Sequence, residues 1–140
     1  MGNENFHNPK LTVDAIALRE DENEIQVLLI RRGREPWKGF LAFPGGFVEH
    51  GEDPEDSVVR ELLEETGVSG NNPSVFAVLG HPSRDPRGHI VSVFYKVSVN
   101  PESVPVAGDD ADGAEWKGLN KIKDDEMAAD HITIIELLRD

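Results

Sequence analysis

Apolar and polar positions fall into blocks that change period several times along the chain. Leu11–Leu18 (LTVDAIAL) and Ile25–Ile30 (IQVLLI) are rich in β-branched residues and flank the charged stretch Glu20–Glu24, which predicts two largely buried strands joined by a hairpin turn. Residues 1–9 are polar and aperiodic, so residues 1–10 are expected to form a flexible N-terminal extension. From Gly33 to Gly51, glycine, proline and aromatic residues crowd together and predict a structured loop with short strands, in which Phe40 and Phe43 are core residues. Asp53-Pro54 supplies an N-cap and a proline at the first helical position, and Gly67 supplies a stop, so Pro54–Thr66 is a helix. Val75–Leu79 and Ile90–Val99 read as strands, the second ending at Asn100-Pro101. After an acidic turn at Gly108–Gly113, Ala114–Lys117 is a short strand and Asp130–Leu138 (DHITIIELL) has helical spacing. With no repeat or long linker, this order predicts one α+β domain over residues 1–140, an α/β/α sandwich.

Composition narrows the chemistry. The 140 residues carry 14 Lys+Arg against 27 Asp+Glu, a formal charge of −13, which argues against duplex nucleic acid or an anionic membrane as partner. With 38% hydrophobic residues the chain can bury a core. Cysteine is absent, which removes disulfides, thiolate nucleophiles and Cys-ligated metals. No basic-then-apolar leader and no run long enough to span a bilayer is present, so the expected compartment is the cytoplasm.

The Pro54–Thr66 helix divides its surface unevenly. At about 100° per residue with Glu61 at zero, Glu64 falls near −60° and Glu65 near +40°, whereas Val58, Val59, Leu62, Leu63 and Thr66 occupy roughly 60° to 200°. Acids crowded on one face repel one another. Arg60 reaches Glu64 at i+4, but one guanidinium cannot balance Glu61, Glu64, Glu65 and the preceding Glu52. A hard divalent cation, Mg2+ or Mn2+, suits carboxylate, carbonyl and water donors. Helix geometry alone favours the other reading, a solvated acidic face.

The longer pattern decides between them. Gly46, five residues, Glu52, seven residues, and then Arg60-Glu61-Leu62-Leu63-Glu64-Glu65-Thr66-Gly67-Val68 resembles the Nudix box. The order of elements from Leu11 to the last helix is also similar to that family. The resemblance implies an α/β/α sandwich with a mixed β-sheet between helices, and hydrolysis of a nucleoside diphosphate linked to another moiety. By position it makes Glu64 and Glu65 principal metal ligands, with Glu61 beside them, the Gly46 carbonyl contributing from the loop and Glu52 supporting or metal-proximal. Arg60 would orient a glutamate. Such chemistry is metal-assisted attack of water on phosphorus. For Glu52 the alternative is a loop salt bridge to Arg60.

Three other segments bear on the substrate. Arg31, Arg32, Arg34 and Lys38 gather near the box loop although basic residues are scarce, and guanidinium suits phosphate; Trp37 and Phe47 are candidates to stack a base or to pack. The segment His81-Pro82-Ser83-Arg84-Asp85-Pro86-Arg87-Gly88-His89 resembles a loop of small ADP-ribose pyrophosphatases, with Arg84 and Arg87 as candidates for diphosphate and terminal ribose and Asp85 for a ribose hydroxyl. A turn in which Asp85 pairs with an arginine is the alternative. His81 and His89 are candidate acids or bases, or simply exposed. In Ala107-Gly108-Asp109-Asp110-Ala111, the paired Asp109 and Asp110 stand where the family places an acid that positions water, with Glu115 competing and Trp116 as packing.

Two function classes follow. One is a Mg2+-dependent hydrolase converting ADP-ribose to AMP and ribose 5-phosphate, with a nucleoside triphosphate pyrophosphohydrolase that clears oxidised nucleotides as the alternative enzyme. The other is a non-catalytic sensor of ADP-ribose. No basic helix-turn-helix segment follows the sandwich, which disfavours the sensor and nucleic acid. A homodimer is expected by analogy with small enzymes of this branch.

Overall fold

The computed structural model describes residues 7–139. It contains eight strands: β1 (Lys10–Ile16), β2 (Leu18–Asp21), β3 (Glu24–Arg32), β4 (Leu41–Ala42), β5 (Gly45–Phe47), β6 (Gly70–Leu79), β7 (Ile90–Val99) and β8 (Ala111–Gly118). Helix α1 (Pro54–Thr66) follows β5 and helix α2 (His131–Leu138) closes the described chain. One sheet runs β5-β1-β7-β6 and is mixed, because β1 and β7 are parallel while the other pairings are antiparallel. In the second, antiparallel sheet, β8 lies along one edge of β3, and β2 and β4 share the other. The chain crosses from the first sheet to the second at Ala17, whose carbonyl accepts from Leu28 N at 3.0 Å.

Period-two alternation gives the sandwich its two faces. In β1, Val13 and Ala15 pack with Val58 and Leu62 of α1, whereas Ile16 packs with Ile134 and Ile135 of α2. In β3, Leu28 faces the α1 side while Val27 and Leu29 face the α2 side. In β7, Tyr95 and Val97 join α1 and Phe94 joins α2. The expected α/β/α layering with mixed β-sheet is therefore present.

Helix α1 has the expected bounds: the Asp53 side chain accepts from Glu55 N at 2.9 Å, and Gly67, at φ 72°, donates to the Leu63 carbonyl. Several expectations need correction. The hairpin turns on Glu22 and Asn23 alone, both at positive φ, so Glu20 and Asp21 are strand residues. Strand β6 starts at Gly70, carrying Pro73 past a register shift between Asn71 and Ser74. Pairing with β3 carries β8 back to Ala111, which shortens the acidic turn. Leu63, at the limit of the apolar arc, is 49% exposed, and Phe40 is exposed rather than core because it sits in the turn leading into β4. The N-terminal extension lies mostly outside the described residues, and Lys10 already belongs to β1.

Candidate functional site

The carboxylate side of α1 is organised around Arg60. Its Nε donates to Glu52 Oε2 at 2.8 Å and its Nη2 to Glu52 Oε1 at 3.0 Å, while Nη1 donates to Glu61 Oε1 at 2.9 Å and Glu64 Oε1 at 3.1 Å. The Arg60 hydrogen bonds draw the Glu52 carboxyl down to about 2. Burial pushes Glu61 up against the pull of Arg60. Glu65 turns to the other side of the loop, where its Oε1 accepts from Gly45 N at 2.7 Å. Burial raises it to about 7 despite that bond, and the neighbouring charge of Glu61 adds to the shift.

Gly45 and Gly46 make this approach possible. A Cβ on Gly46 would stand 2.6 Å from Glu61 Oε1, and one on Gly45 would meet Asp14 Oδ1 at 2.5 Å. The two glycines thus admit carboxylates from α1 on one side and β1 on the other. Among the described residues no three acidic or histidine side chains already converge as a cation cage, since Arg60 engages Glu52, Glu61 and Glu64. The donor set nevertheless fits a hard divalent ion: it is carboxylate and carbonyl oxygen without sulfur, and burial penalises the charge of both Glu61 and Glu65.

A cleft of about 160 Å³, open to solvent, begins at these glycines and runs toward the start of α2. Glu65, Arg32, Trp37, Phe47, Asp85 and Arg87 line it. Arg32 enters because it shares a strand face with Ile30, also in the lining, and its Nε donates to the Pro36 carbonyl at 2.7 Å. Arg31, one residue earlier, points away: Nη1 donates to the Gly39 carbonyl at 2.7 Å and Nη2 lies 3.7 Å from Glu115. Phe47, 41% exposed, stands 5.6 Å from the Arg87 guanidinium at the cleft. Arg87 is the arginine paired with Asp85, at 2.9 Å.

Arg84 also lines the cleft, but its donors are engaged. Nε and Nη2 make a two-pronged contact with Asp130 at 2.8 Å each, and Nη1 donates to Ser92 Oγ at 2.7 Å and the Ile90 carbonyl at 3.2 Å. Asp130 therefore gives no side-chain cap to α2. Beside it, His131 Nδ1 accepts from Phe43 N at 3.2 Å, with its ring 5.5 Å from Phe43 and 5.4 Å from Phe94. That acceptor role requires a neutral ring, and desolvation among these neighbours lowers its pKa to about 4.

Because the unfolded imidazole protonates near 6.5 and the folded one near 4, His131 adds stability above pH 6.5 that is lost as pH falls toward 4. The raised Glu65 acts in the opposite sense over part of this range. The His131 contribution should therefore emerge as a difference of about 3 kcal/mol between the wild-type and His131→Asn stability profiles, measured by urea unfolding across pH 4 to 7. Parallel profiles would contradict it.

The turn at Gly108–Asp110 sits against the end of α1, with Gly108 N donating to the Glu65 carbonyl at 3.0 Å. Asp110 pairs with Arg34 at 2.6 Å, and Asp109 is exposed. His81 and His89 are exposed; His81 Nδ1 accepts from Ser83 N and His89 Nε2 contacts the Gly80 carbonyl. Trp116 packs against the α1 side and donates to the Ser103 carbonyl, as expected.

Sequence reasoning missed the cleft floor, made by Thr12 and Asp14 of β1 with Ser92 of β7. Thr12 and Ser92 face each other in register, with their hydroxyls 2.6 Å apart. Asp14 is 7% exposed, and burial, then the charge of Glu65, raises its carboxyl well above the usual range. The available signal was a polar pair at i and i+2 inside the otherwise apolar run LTVDAIAL.

Residues 8–138 match the family model of the NUDIX domain. An ADP-ribose pyrophosphatase of Methanocaldococcus jannaschii is 43% identical over 131 residues, covering 94% of this chain and 73% of its own length. An ADPR responsive transcriptional repressor NtrR of Acinetobacter baylyi is 32% identical over 94% of this chain, which spans only 53% of that protein. The NUDIX domain of Shewanella oneidensis NrtR, solved in complex with ADP ribose, superposes with a TM-score of 0.87 at 28% identity, covering 99% of this chain and 92% of that one.

Proposed function

The chain belongs to the Nudix family and is a Nudix hydrolase, and on that premise we propose that it hydrolyses ADP-ribose, with Mg2+, to AMP and ribose 5-phosphate. The observation that carries this reading is the continuity between the α1 carboxylates and a cleft lined by Arg32, Arg87, Trp37 and Phe47. The 43% identity to an ADP-ribose pyrophosphatase supports the same substrate. The same reading takes residues 1–140 as one domain acting in the cytoplasm as a homodimer.

In this proposal Glu61, Glu64 and Glu65, with the Gly46 carbonyl and Glu52 nearby, hold the divalent ion. When bound, the ion neutralises the diphosphate and acidifies water. Arg60, anchored on Glu52, keeps Glu61 and Glu64 close to the loop. Arg32 and Arg87 supply cationic donors for phosphate oxygens, and Trp37 and Phe47 supply faces for the base. Arg84 acts on the ligand through the floor it braces, whereas Arg31, bonded to the Gly39 carbonyl, lies outside the cleft lining. In this reading Asp109 and Asp110 orient water, which is supported by the bond from Gly108 N of the same turn to the Glu65 carbonyl.

A substrate panel tests the assignment. ADP-ribose should turn over at least tenfold faster, by kcat/KM, than oxidised or ordinary nucleoside triphosphates. The reverse order would make the enzyme a triphosphate pyrophosphohydrolase. A sensor reading draws on the regulators among the relatives, and tight ADP-ribose binding without product would favour it.

A further inference from the structure

The cleft floor contains one group without a partner. Thr12 and Ser92 bond each other, Ser92 also receives Arg84, and Arg84 is held by Asp130. Asp14 shares this floor, yet only burial and longer-range charges act on its carboxylate, and no described group donates a hydrogen bond to it. Side-chain polar atoms that are both sealed and unpaired are absent among the described residues. The Asp14 oxygens therefore keep access to the cleft that the residue lines. An acceptor so enclosed but left unmatched is costly unless something in the cleft donates to it.

Position restricts the donor. Asp14 is the register partner of Gly45, next to the box glycine Gly46, and Glu65 is its strongest charged neighbour. A ligand group at Asp14 therefore lies directly beside the diphosphate. An ionised phosphate oxygen carries no proton to donate to an acceptor, and the base is one sugar too far away. The remaining group adjoining a diphosphate on either side is a ribose, whose hydroxyls are neutral donors.

Resting on the proposed ADP-ribose activity, we propose that Asp14 is a specificity-determining residue that accepts a hydrogen bond from a ribose hydroxyl flanking the diphosphate. Thr12, Ser92 and the Arg84–Asp130 pair hold the floor in place around it. The site thereby favours ribosyl over deoxyribosyl ligands before any contact with the base is counted.

The test compares wild type with Asp14→Asn and Asp14→Ala on three substrates: ADP-ribose, its analogue lacking the 2′-hydroxyl on the adenosine side, and the analogue lacking the 2-hydroxyl on the distal ribose. An acceptor lost from a buried hydrogen bond predicts a KM for ADP-ribose raised about tenfold or more in Asp14→Ala, with kcat changed less than about threefold. One deoxy analogue should show the same penalty in wild type and no further penalty in Asp14→Ala, which identifies the ribose concerned. Asp14→Asn keeps the side-chain volume, and an unchanged melting temperature separates binding from folding. Equal KM in all three proteins, an equal deoxy penalty in all three, or a loss confined to kcat would overturn the role. If wild type leaves ADP-ribose intact but cleaves nucleoside triphosphates, the substrate reading fails by itself. The Asp14 role is then decided by the same comparison between ribo- and deoxyribonucleotides.

Discussion

Glu64→Gln is expected to lower ADP-ribose turnover on the order of 10³-fold or more, with almost no change in stability. Its side chain is 57% exposed and, among the described residues, its one ion pair is the i,i+4 contact with Arg60 at 3.1 Å. Exposed pairs of this kind contribute at most a few tenths of a kcal/mol, so the fold has little to lose. The amide keeps the size of the side chain and removes the negative oxygen offered to the divalent ion. Kinetics with ADP-ribose and Mg2+, alongside a thermal melt, check both halves. A variant retaining more than a tenth of wild-type turnover would remove Glu64 from the metal-holding set. A collapsed melting temperature would instead show that the residue is structural.

Arg84→Ala should have the opposite profile, acting first on stability. The Arg84 side chain is 6% exposed and Asp130 29%, and the contact between them is two-pronged at 2.8 Å. Removing the guanidinium strands Asp130, and also takes a donor from Ser92 and from the Ile90 carbonyl. Breaking a buried pair costs about 3–5 kcal/mol, and partial access of water to Asp130 brings the expectation to about 2–4 kcal/mol, or on the order of 10 °C in Tm. Arg84→Lys should recover little, because an ammonium cannot reproduce the planar fork. Replacing both partners by leucine should recover much of the loss, since no charge is then left unpaired. If Arg84→Ala melts with the wild type, the floor of the cleft is not braced in this way.

The contrast between these residues shows what the sequence made legible. Helix α1 was readable to its ends because its determinants are local: an Asp N-cap, a proline at the first helical position and a glycine in the left-handed conformation at the stop. The carboxylate cluster was readable for the same reason, since spacing on one helix fixes relative direction. Pairings between distant segments were not. Arg84 and Asp130 are 46 residues apart, and Thr12 and Ser92 are 80 apart. Nothing in SRDPRGH distinguishes an arginine that braces a floor from one, like Arg87, that lies open at the cleft. Arg31 and Arg32 looked equivalent as neighbours, and strand alternation sends only the second into the site. Phe40 is apolar yet exposed, because the turn before β4 turns its ring outward and apolarity alone does not specify burial. Asp14 went unremarked in an apolar strand, because its meaning depends on the Gly45–Gly46 loop being folded against it.

The α1 carboxylates and the adjoining cleft are proposed to make, together, a metal-dependent ADP-ribose hydrolase. The most direct measurement is incubation with ADP-ribose and Mg2+ in oxygen-18 water, with products followed by mass spectrometry and a parallel reaction containing excess EDTA. AMP and ribose 5-phosphate should form in equal amounts, with one heavy oxygen in one of the two phosphates, and neither should form with EDTA. ADP-ribose recovered intact and unlabelled from a folded, Mg2+-binding protein would contradict the account.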